Sequence, residues 1–190
     1  MKRIVLFASG SGSNVENIYN YFKTNKNVSI EAVLTNKKNA SVLDRCHRLG
    51  LASICFNKVA FSETEVILKL LKSIDPDLII LAGFLWKVPE NIIKAFPQKI
   101  INIHPALLPN YGGKGMYGNK VHEAVKKNKE EKTGISIHFV NEYYDKGALI
   151  KQIKTPISTE ASIEEIANAV HLLEYEHYPQ VIEELLFKGQ

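Results

Sequence analysis

Near its N-terminus the chain reads Ile4-Val5-Leu6-Phe7-Ala8-Ser9-Gly10-Ser11-Gly12-Ser13-Asn14. The first five residues are a continuous apolar run, which is typical of a strand buried on both faces of a parallel sheet. The serines and glycines then let the backbone turn, and Asn14 can cap a following helix. The apolar side chains of that helix recur at helical spacing, at Val15, Ile18, Tyr19 and Phe22. This order of strand, loop and helix predicts the first unit of an α/β sheet.

Strands and helices are predicted to alternate along the middle of the chain. Four more apolar runs predict strands, over residues 30–34, 52–56, 78–82 and 100–103. The connections predict helices that start at Asn39 or Ser41, at a capping box in residues 62–65, and at Pro89. This alternation predicts a doubly wound, mostly parallel sheet.

The last third of the chain changes character. In residues 135–140 the apolar Ile135, Ile137 and Phe139 occupy every second position, and residues 148–153 predict a partner strand across the turn Asp145-Lys146-Gly147. We expect this hairpin to lie antiparallel at one end of the sheet. A further capping box predicts a long helix that Pro179 interrupts, followed by a second helix that ends at Lys188-Gly189.

The composition of the chain limits how many domains it can form, which partners it can bind and where it can be located. The chain has 190 residues, of which 45% are hydrophobic, and no linker or repeat divides it, so one domain over residues 1–190 is expected. Its net charge of +4 is spread without a block of like charges, which argues against nucleic acid as a partner. Cys46 and Cys55 form no metal or redox motif, and no apolar run reaches the roughly 18 residues of a membrane span. We therefore expect a cytoplasmic protein with free thiols and no metal site.

The glycine loop between the first strand and the first helix predicts an anion site. A helix N-terminus offers free N–H groups and the positive end of the helix dipole to a phosphate. The dinucleotide motif requires Gly or Ala where this chain has Val15, and an acidic residue where it has Thr35-Asn36-Lys37, so no nicotinamide cofactor is expected. A terminal phosphate on a small metabolite remains, with an ordinary strand-to-helix turn as the alternative.

A second candidate site lies at the end of the fifth strand, in Ile100-Ile101-Asn102-Ile103-His104-Pro105. Asn102 and His104 are two residues apart on an extended chain, so their side chains lie on the same face. Ligands of open α/β sheets bind outside the carboxyl ends of the strands, where this pair is expected to lie. The alternative is structural, with a buried Asn and a His that packs at the strand end. Asp145 is a third candidate, although Asp-Lys-Gly is also a common turn sequence.

Three blocks of the sequence resemble the formyltransferases that use formylated tetrahydrofolate. The stretch Ile101-Asn102-Ile103-His104-Pro105-Ala106-Leu107-Leu108-Pro109 is similar to the signature of that family. Gly134-Ile135-Ser136-Ile137-His138-Phe139-Val140, with Asp145-Lys146-Gly147, is similar to a second block, and Leu81-Ala82-Gly83-Phe84 to a third. The loop Gly10-Ser11-Gly12-Ser13-Asn14 resembles that of members that act on glycinamide ribonucleotide, whereas members that act on methionyl-tRNA lack it.

The resemblance implies a Rossmann-like formyltransferase fold and a reaction. The formyl group of 10-formyltetrahydrofolate would pass to the amine of glycinamide ribonucleotide, in de novo purine (IMP) biosynthesis. The half over about residues 1–100 would bind phosphate, and the half over about residues 101–190 would bind folate and carry catalysis. No metal, nicotinamide cofactor, nucleic acid or membrane is expected to take part, and a monomer or a homodimer is expected.

The resemblance also assigns residues to roles. The catalytic residues are Asn102, His104 and Asp145, with Ser136 and His138 in support. Contacts to the phosphate and ribose come from Gly12, Ser13, Asn14, His171 and Glu174. Contacts to the folate come from Thr64, Leu85, Trp86, Lys87, Val88, Asn102, Asn141, Glu142, Tyr143 and Tyr144. Thr64 stands where relatives often carry Arg, and Trp86 is expected either to stack on the folate or to pack in the core.

The implied mechanism is direct transfer through a tetrahedral intermediate. The substrate amine attacks the formyl carbon, and Asn102 donates its amide N–H to the negative oxygen that forms. A cationic His104, its pKa raised by Asp145, stabilises the same oxygen and protonates the departing folate nitrogen. Asp145 orders the water that takes the amine proton. Residues 110–120 are expected to form a mobile lid, from which Lys114 can reach an anion.

Three other functions stay open from the sequence. Two are enzymatic: hydrolysis of 10-formyltetrahydrofolate, and transfer of its formyl group to a different sugar amine. The third is a non-catalytic module that binds a phosphorylated metabolite, for which Asn102 and His104 would be packing residues. Turnover that depends on the ribonucleotide discriminates among them.

Overall fold

A computed structural model describes residues 1–188, which form seven strands, six α-helices and one π-helical turn. The strands are β1 (Lys2–Phe7), β2 (Val28–Thr35), β3 (Ser53–Cys55), β4 (Leu78–Leu81), β5 (Ile100–His104), β6 (Lys132–Phe139) and β7 (Leu149–Pro156). The α-helices are α1 (Ser13–Phe22), α2 (Val42–Leu49), α3 (Val66–Ile74), α4 (Glu90–Ala95), α5 (Asn119–Lys127) and α6 (Ile163–Phe187). The π-helical turn spans Val59–Glu63. Within this described part, no helix has the length and apolar character needed to span a membrane.

The strands form one sheet in the order β3-β2-β1-β4-β5-β6-β7. The pairs from β3 to β5 are parallel, whereas β6 pairs antiparallel with β5 and β7 pairs antiparallel with β6. This confirms the predicted α/β fold with its antiparallel C-terminal hairpin. The strand order reverses between β1 and β4, and ligands of open α/β sheets bind at such a switch point.

Two apolar layers fill the space on either side of the sheet. Along β1, Ile4 and Leu6 belong to one layer and Val5 and Phe7 to the other, and all four are at most 2% exposed. The first layer is shared with α1, α2 and α6, and the second with α3 and α4. β1 is therefore buried on both faces, as its apolar run predicts.

The start of α1 differs from the prediction. Gly12 holds the cap position in a left-handed conformation, and Asn14 lies inside the first turn without capping it. The Asn14 amide instead donates to the carboxylate of Glu174 on α6. That partner is distant in sequence, so the local rule for helix caps could not reveal it.

The two predicted capping boxes have opposite outcomes. The box expected in residues 62–65 is wrong, because the π-helical turn occupies this stretch up to Glu63 and α3 begins at Val66 without a side-chain cap. The later box is confirmed, since the Ser162 hydroxyl accepts from the N–H of Glu165 and the Glu165 carboxylate accepts from the N–H of Ser162. This box fixes the start of α6.

The break predicted at Pro179 is also wrong, since α6 runs unbroken from Ile163 to Phe187. A proline leaves the carbonyl four residues earlier without its helical partner. In α6 that carbonyl belongs to Tyr175, and it accepts a hydrogen bond from Asn17 Nδ2 at 2.9 Å. The contact with α1 replaces the lost bond. Gly189, part of the predicted helix end, lies outside the described residues.

Candidate active site

A cleft of about 660 Å³ opens outside the carboxyl ends of β1, β4 and β5. Its walls are the loop after β1, the segment after β4, the end of β5 with the glycine-rich segment that follows, and the turn between β6 and β7. His171 and Glu174 of α6 also line it. Both sites predicted from the sequence therefore open into one cleft, whose size suits a small-molecule site.

The glycine loop at residues 10–14 forms one end of the cleft. Gly12 has a left-handed backbone (φ 75°), and any Cβ there would overlap the side chain of Val42 at the start of α2. Two hydrogen bonds also hold the loop against α2. The N–H of Val42 donates to the Gly10 carbonyl, and the Arg45 guanidinium donates to the Ser11 carbonyl. Arg45 is in turn ion-paired with a carboxylate of α1. α1 thus begins at the cleft wall, where its N-terminus favours an anion.

Glu174 places a carboxyl group on the same wall, although its side chain is only 8% exposed. Glu174 Oε2 accepts from Asn14 Nδ2 at 3.0 Å, while Asn14 Oδ1 has no hydrogen-bond partner within the described residues. Burial raises the pKa of Glu174 to about 7, and the bond from Asn14 opposes this rise. The Glu174 carboxyl keeps spare lone pairs on the cleft wall, which suit a ligand that carries hydroxyl groups.

Replacement of Glu174 by glutamine is expected to stabilise the unliganded protein at alkaline pH. The pKa of Glu174 is about 7 in the folded protein, and its ordinary value is 4.5. Between these two pH values the folded protein therefore holds a proton that the unfolded chain has lost. Stability therefore falls as the pH rises through this window and stays lower above it. Glutamine carries no charge and its amide can pair with Asn14. We expect the free energy of unfolding to rise by up to roughly 3 kcal/mol at about pH 8 and by less than about 1 kcal/mol near pH 5.

Denaturant unfolding of the parent and the Glu174→Gln variant at both pH values measures this gain. Glu176→Gln, on the exposed side of the same helix, is the matched control and should show no comparable pH dependence. Equal stability of the parent and Glu174→Gln at alkaline pH would contradict the raised pKa.

Asn102 and His104 lie side by side at the end of β5 and both line the cleft, as the strand period predicts. The pairing of β5 with β6 sets Asn102 opposite His138, with 3.2 Å between Asn102 Nδ2 and His138 Nε2. His138 Nδ1 lies 2.8 Å from the Phe139 carbonyl, which can only accept, so Nδ1 carries a proton, and in the neutral ring Nε2 accepts from Asn102. His138 thereby fixes the direction of the Asn102 amide. A carboxamide nitrogen has two hydrogens, so one is available to a ligand.

His104 is 3% exposed and makes contacts through both ring nitrogens. Its Nε2 donates to the Tyr111 carbonyl at 2.8 Å, so the nitrogen that faces Asp145 is Nδ1, 3.6 Å from Oδ2. Burial lowers the pKa of His104 below its ordinary value, while Asp145 and the Tyr111 carbonyl act to raise it. The expected rise in pKa is therefore wrong in its net direction, because desolvation outweighs the carboxylate. Near neutral pH His104 is uncharged, and its Nδ1 can take up a proton.

Asp145 lies in the turn between β6 and β7, near both His104 and His138. Its Oδ1 lies 3.7 Å from His138 Nε2, and its Oδ2 accepts from the N–H of Gly113 at 2.9 Å. Burial acts to raise the pKa of Asp145, but its contacts with His138, His104 and Gly113 outweigh burial and hold the pKa below its ordinary value. Asp145 is therefore ionised near neutral pH. The structure brings Asn102, His104 and Asp145 together.

Most residues assigned to the folate also line the cleft. They are Leu85, Trp86, Lys87, Val88, Asn141, Tyr143 and Tyr144. Trp86 also packs in the core, where its ring centroid lies 6.1 Å from that of Phe56 and 6.1 Å from that of Phe61. Thr64 and Glu142 are exposed and do not line the cleft, so the structure does not bring them to the site.

Ser136 does not line the cleft, and its role is to hydrogen-bond the backbone of the segment after His104. Its hydroxyl donates to the Ala106 carbonyl at 2.7 Å and accepts from the N–H of Leu108 at 2.9 Å. These bonds tie the segment after His104 to β6. Ser136 therefore holds backbone in place, whereas His138 contacts Asn102 and Asp145 directly.

Three groups at the site, of Lys37, Tyr111 and Gly113, were not predicted from the sequence. Lys37 lines the cleft just after β2, and its position at the carboxyl end of a parallel strand is the signal that could have revealed it. The Tyr111 carbonyl and the Gly113 N–H are backbone groups, which leave no signature in residue types. His122 of α5 is buried on the wall, where burial and two neighbouring histidines lower its pKa to about 4. Over residues 1–188, no cluster of His, Cys, Asp and Glu is arranged to hold a metal ion.

Comparison with known proteins gives consistent matches along the chain. Residues 2–182 match the family described as formyl transferase. The chain is 35% identical over 188 residues to the chloroplastic phosphoribosylglycinamide formyltransferase of Arabidopsis thaliana, covering 95% of this chain and 64% of the relative. It is 35% identical over 193 residues to the phosphoribosylglycinamide formyltransferase of Bacillus subtilis, covering 98% of this chain and 95% of the relative.

A solved structure matches to a similar extent. Glycinamide ribonucleotide transformylase 1 from Geobacillus kaustophilus superposes with a TM-score of 0.88 at 33% identity, covering 98% of this chain and 99% of the other. The chain thus spans less than two thirds of the length of the plant relative and nearly all of the two bacterial ones.

Proposed function

The chain belongs to the formyl transferase family, and on that basis we propose that it transfers the formyl group of 10-formyltetrahydrofolate to the amine of glycinamide ribonucleotide, in purine biosynthesis. One observation carries the proposal. A single cleft is lined both by a glycine loop at a helix N-terminus and by Asn102, His104 and Asp145. This arrangement suits a substrate with a phosphate at one end and a reacting amine at the other.

The ribonucleotide lies along the loop side of the cleft in this proposal. Its phosphate meets the N-terminus of α1 at Ser13, and the Lys37 ammonium adds an opposite charge. Its ribose hydroxyls donate to Glu174, whose carboxyl lines the cleft. The folate occupies the opposite side, against the segment that contains Trp86. The formyl carbon then lies between the two substrates, next to Asn102.

The reaction is a direct transfer whose protons balance. The amine nitrogen attacks the formyl carbon, the carbonyl electron pair moves to the oxygen, and Asn102 donates to the resulting oxyanion. The proton that the amine loses passes, through water held by Asp145, to Nδ1 of the neutral His104. The imidazolium, stabilised by Asp145, gives a proton to the folate nitrogen as its bond to carbon breaks. Tetrahydrofolate and the N-formylated ribonucleotide are released.

An absorbance assay tests the proposal. The protein is incubated with 10-formyltetrahydrofolate, and the folate spectrum is followed with and without glycinamide ribonucleotide. We expect turnover that requires the ribonucleotide. Turnover without it would make the protein a hydrolase, turnover only with another sugar amine would change the acceptor, and no turnover would leave a binding module. Each of these outcomes overturns the proposal.

Alanine at Gly12 is expected to raise the KM for the ribonucleotide by about tenfold or more. The left-handed backbone costs an L-residue about 1–2 kcal/mol, and the new Cβ would push the loop away from Val42. The KM for the folate should change little, because the folate binds on the other side of the cleft. Steady-state kinetics with each substrate varied in turn measures this difference. Gly10→Ala is the matched comparison, since a Cβ there meets nothing within 4 Å.

A smaller effect is expected for Gly10→Ala than for Gly12→Ala. An unchanged KM for the ribonucleotide in Gly12→Ala would argue against a phosphate at the loop.

The proposal extends to cofactors and location. The cosubstrate is 10-formyltetrahydrofolate, with neither a metal nor a nicotinamide cofactor, and the partners are small molecules without nucleic acid or a membrane. Val15 and Lys37 support the absence of a nicotinamide cofactor, because they stand where a dinucleotide site needs other residues. The protein acts in the cytoplasm as a monomer or a homodimer. Cys46 and Cys55 support a reducing compartment, since both are free thiols.

A further inference from the structure

Tyr111, in the glycine-rich segment after β5, has a left-handed backbone (φ 57°). Residues with a bulky side chain rarely adopt this conformation, which persists only where the surrounding structure enforces it. The residue with this backbone conformation also contacts the site directly, since the Tyr111 carbonyl accepts from His104 Nε2 at 2.8 Å. The unusual backbone thus coincides with the point at which the segment meets His104.

The Tyr111 side chain is anchored away from the cleft. Its hydroxyl donates to Glu130 Oε1 at 2.6 Å and accepts from Asn128 Nδ2 at 2.8 Å. Both partners lie in the connection between α5 and β6. The ring packs against a small apolar cluster that includes Val125 and Ile166. Two directional bonds and this packing fix the ring, and with it the backbone conformation.

The same segment reaches Asp145 two residues later. The N–H of Gly113 donates to Asp145 Oδ2 at 2.9 Å, and a Cβ on Gly112 would lie 3.2 Å from Cβ of Asp145. Residues 111–113 therefore contact His104 on one side and Asp145 on the other. The distance of 3.6 Å between His104 Nδ1 and Asp145 Oδ2 depends on where this segment lies.

We propose that Tyr111 is a positioning residue, whose anchored hydroxyl holds its own carbonyl on His104 Nε2 and the Gly113 N–H on Asp145. Tyr111 does not line the cleft, so it acts through these two residues. Because a carbonyl can only accept, it keeps the His104 proton on Nε2 and leaves Nδ1 directed at Asp145. The kinetic readout of this inference rests on the proposed formyl transfer, and its spectroscopic readout does not.

Tyr111→Phe removes the hydroxyl and keeps the ring. We expect kcat to fall about tenfold while both KM values change little. The Tyr111 carbonyl and Asp145 act to raise the pKa of His104, against burial and His138, so a weaker carbonyl contact lowers that pKa further. Since the reaction starts from neutral His104, the acidic limb of the kcat profile moves to lower pH. A residue that only stabilised the fold would leave this limb in place.

Nitrogen-15 NMR of the histidine side chains gives the second readout. In the parent, neutral His104 should carry its proton on Nε2, and in Tyr111→Phe it should become a mixture of the two tautomers. Tyr21→Phe is the matched control, because it removes another tyrosine–glutamate bond, of 2.5 Å to Glu183, on the exposed side of α1. That variant should change neither the tautomer nor the pH profile.

The two readouts together decide the proposal. An unchanged tautomer and an unchanged acidic limb in folded Tyr111→Phe would overturn it. If that variant does not fold, Glu130→Gln carries the same test, since it weakens the anchor and keeps the ring and hydroxyl, and a smaller shift in the same direction is expected. A parent protein without turnover would defeat the proposed function, while the NMR result would still decide the role of Tyr111.

Discussion

Asparagine in place of Asp145 is expected to lower kcat by about 10²–10⁴-fold while both KM values stay nearly unchanged. Asparagine has the same shape and can still accept the N–H of Gly113, so the backbone around the turn should hold. It carries no charge, however, and cannot stabilise an imidazolium at His104, 3.6 Å away. The variant thus removes proton transfer and keeps binding.

Steady-state kinetics and calorimetric binding of glycinamide ribonucleotide to the Asp145→Asn variant measure the two effects separately. Asp44→Asn, which changes an exposed aspartate on α2, is the matched control and should behave like the parent. Near-normal kcat in Asp145→Asn would remove Asp145 from the mechanism. A loss confined to substrate affinity would make it a binding residue.

Alanine in place of Asn102 is expected to lower kcat by about 10²–10³-fold, the usual effect of removing one oxyanion donor from a dry site. The Asn102 amide is directed by His138 Nε2 at 3.2 Å, so one of its hydrogens is held toward the cleft. This donor acts on charge that develops only after attack. The KM values should therefore change far less than kcat.

The matched control for Asn102 is Asn20→Ala, on the exposed side of α1. Kinetics of both variants, with thermal unfolding to verify the fold, measure the effect. A drop in kcat of less than about threefold would mean that the oxyanion is stabilised elsewhere in the cleft.

The sequence predicts those features that depend on neighbouring residues. The run from Ile4 to Ala8 is apolar at every position, because β1 is buried on both faces, and this pattern already indicates a parallel sheet. Asn102 and His104 are two residues apart, so the period of a strand suffices to put both on the face toward the cleft. The choice of one face over the other follows from the carboxyl-end rule for such sheets.

Asp145 could not be placed by spacing, because its position depends on long-range pairing. The register of β6 on β5 sets His138 opposite Asn102, and the turn after β6 then brings Asp145 back to the strand end. Family resemblance assigned this residue, and the geometry gives it two histidine contacts. Nothing local in an Asp-Lys-Gly turn distinguishes such a residue from an ordinary turn residue.

Three of the predictions that failed share one cause, since each applied a local rule where the rest of the fold decides. Pro179 does not break α6 because Asn17 of α1 supplies a hydrogen bond to the freed carbonyl. Asn14 does not cap α1 because it lies inside the first turn, where its amide donates to Glu174. The pKa of His104 is lowered because the fold buries the ring, and the charge of Asp145 alone predicted the opposite direction.

Transfer of a labelled formyl group is the most direct test of the proposed reaction. The protein is incubated with 10-formyltetrahydrofolate that carries carbon-13 in the formyl group, together with glycinamide ribonucleotide, and mass spectrometry follows the label. We predict that the label appears on the ribonucleotide amine in proportion to the tetrahydrofolate released, and that the Asp145→Asn variant forms almost none. Label that appears in formate, with the ribonucleotide unmodified, would contradict the account.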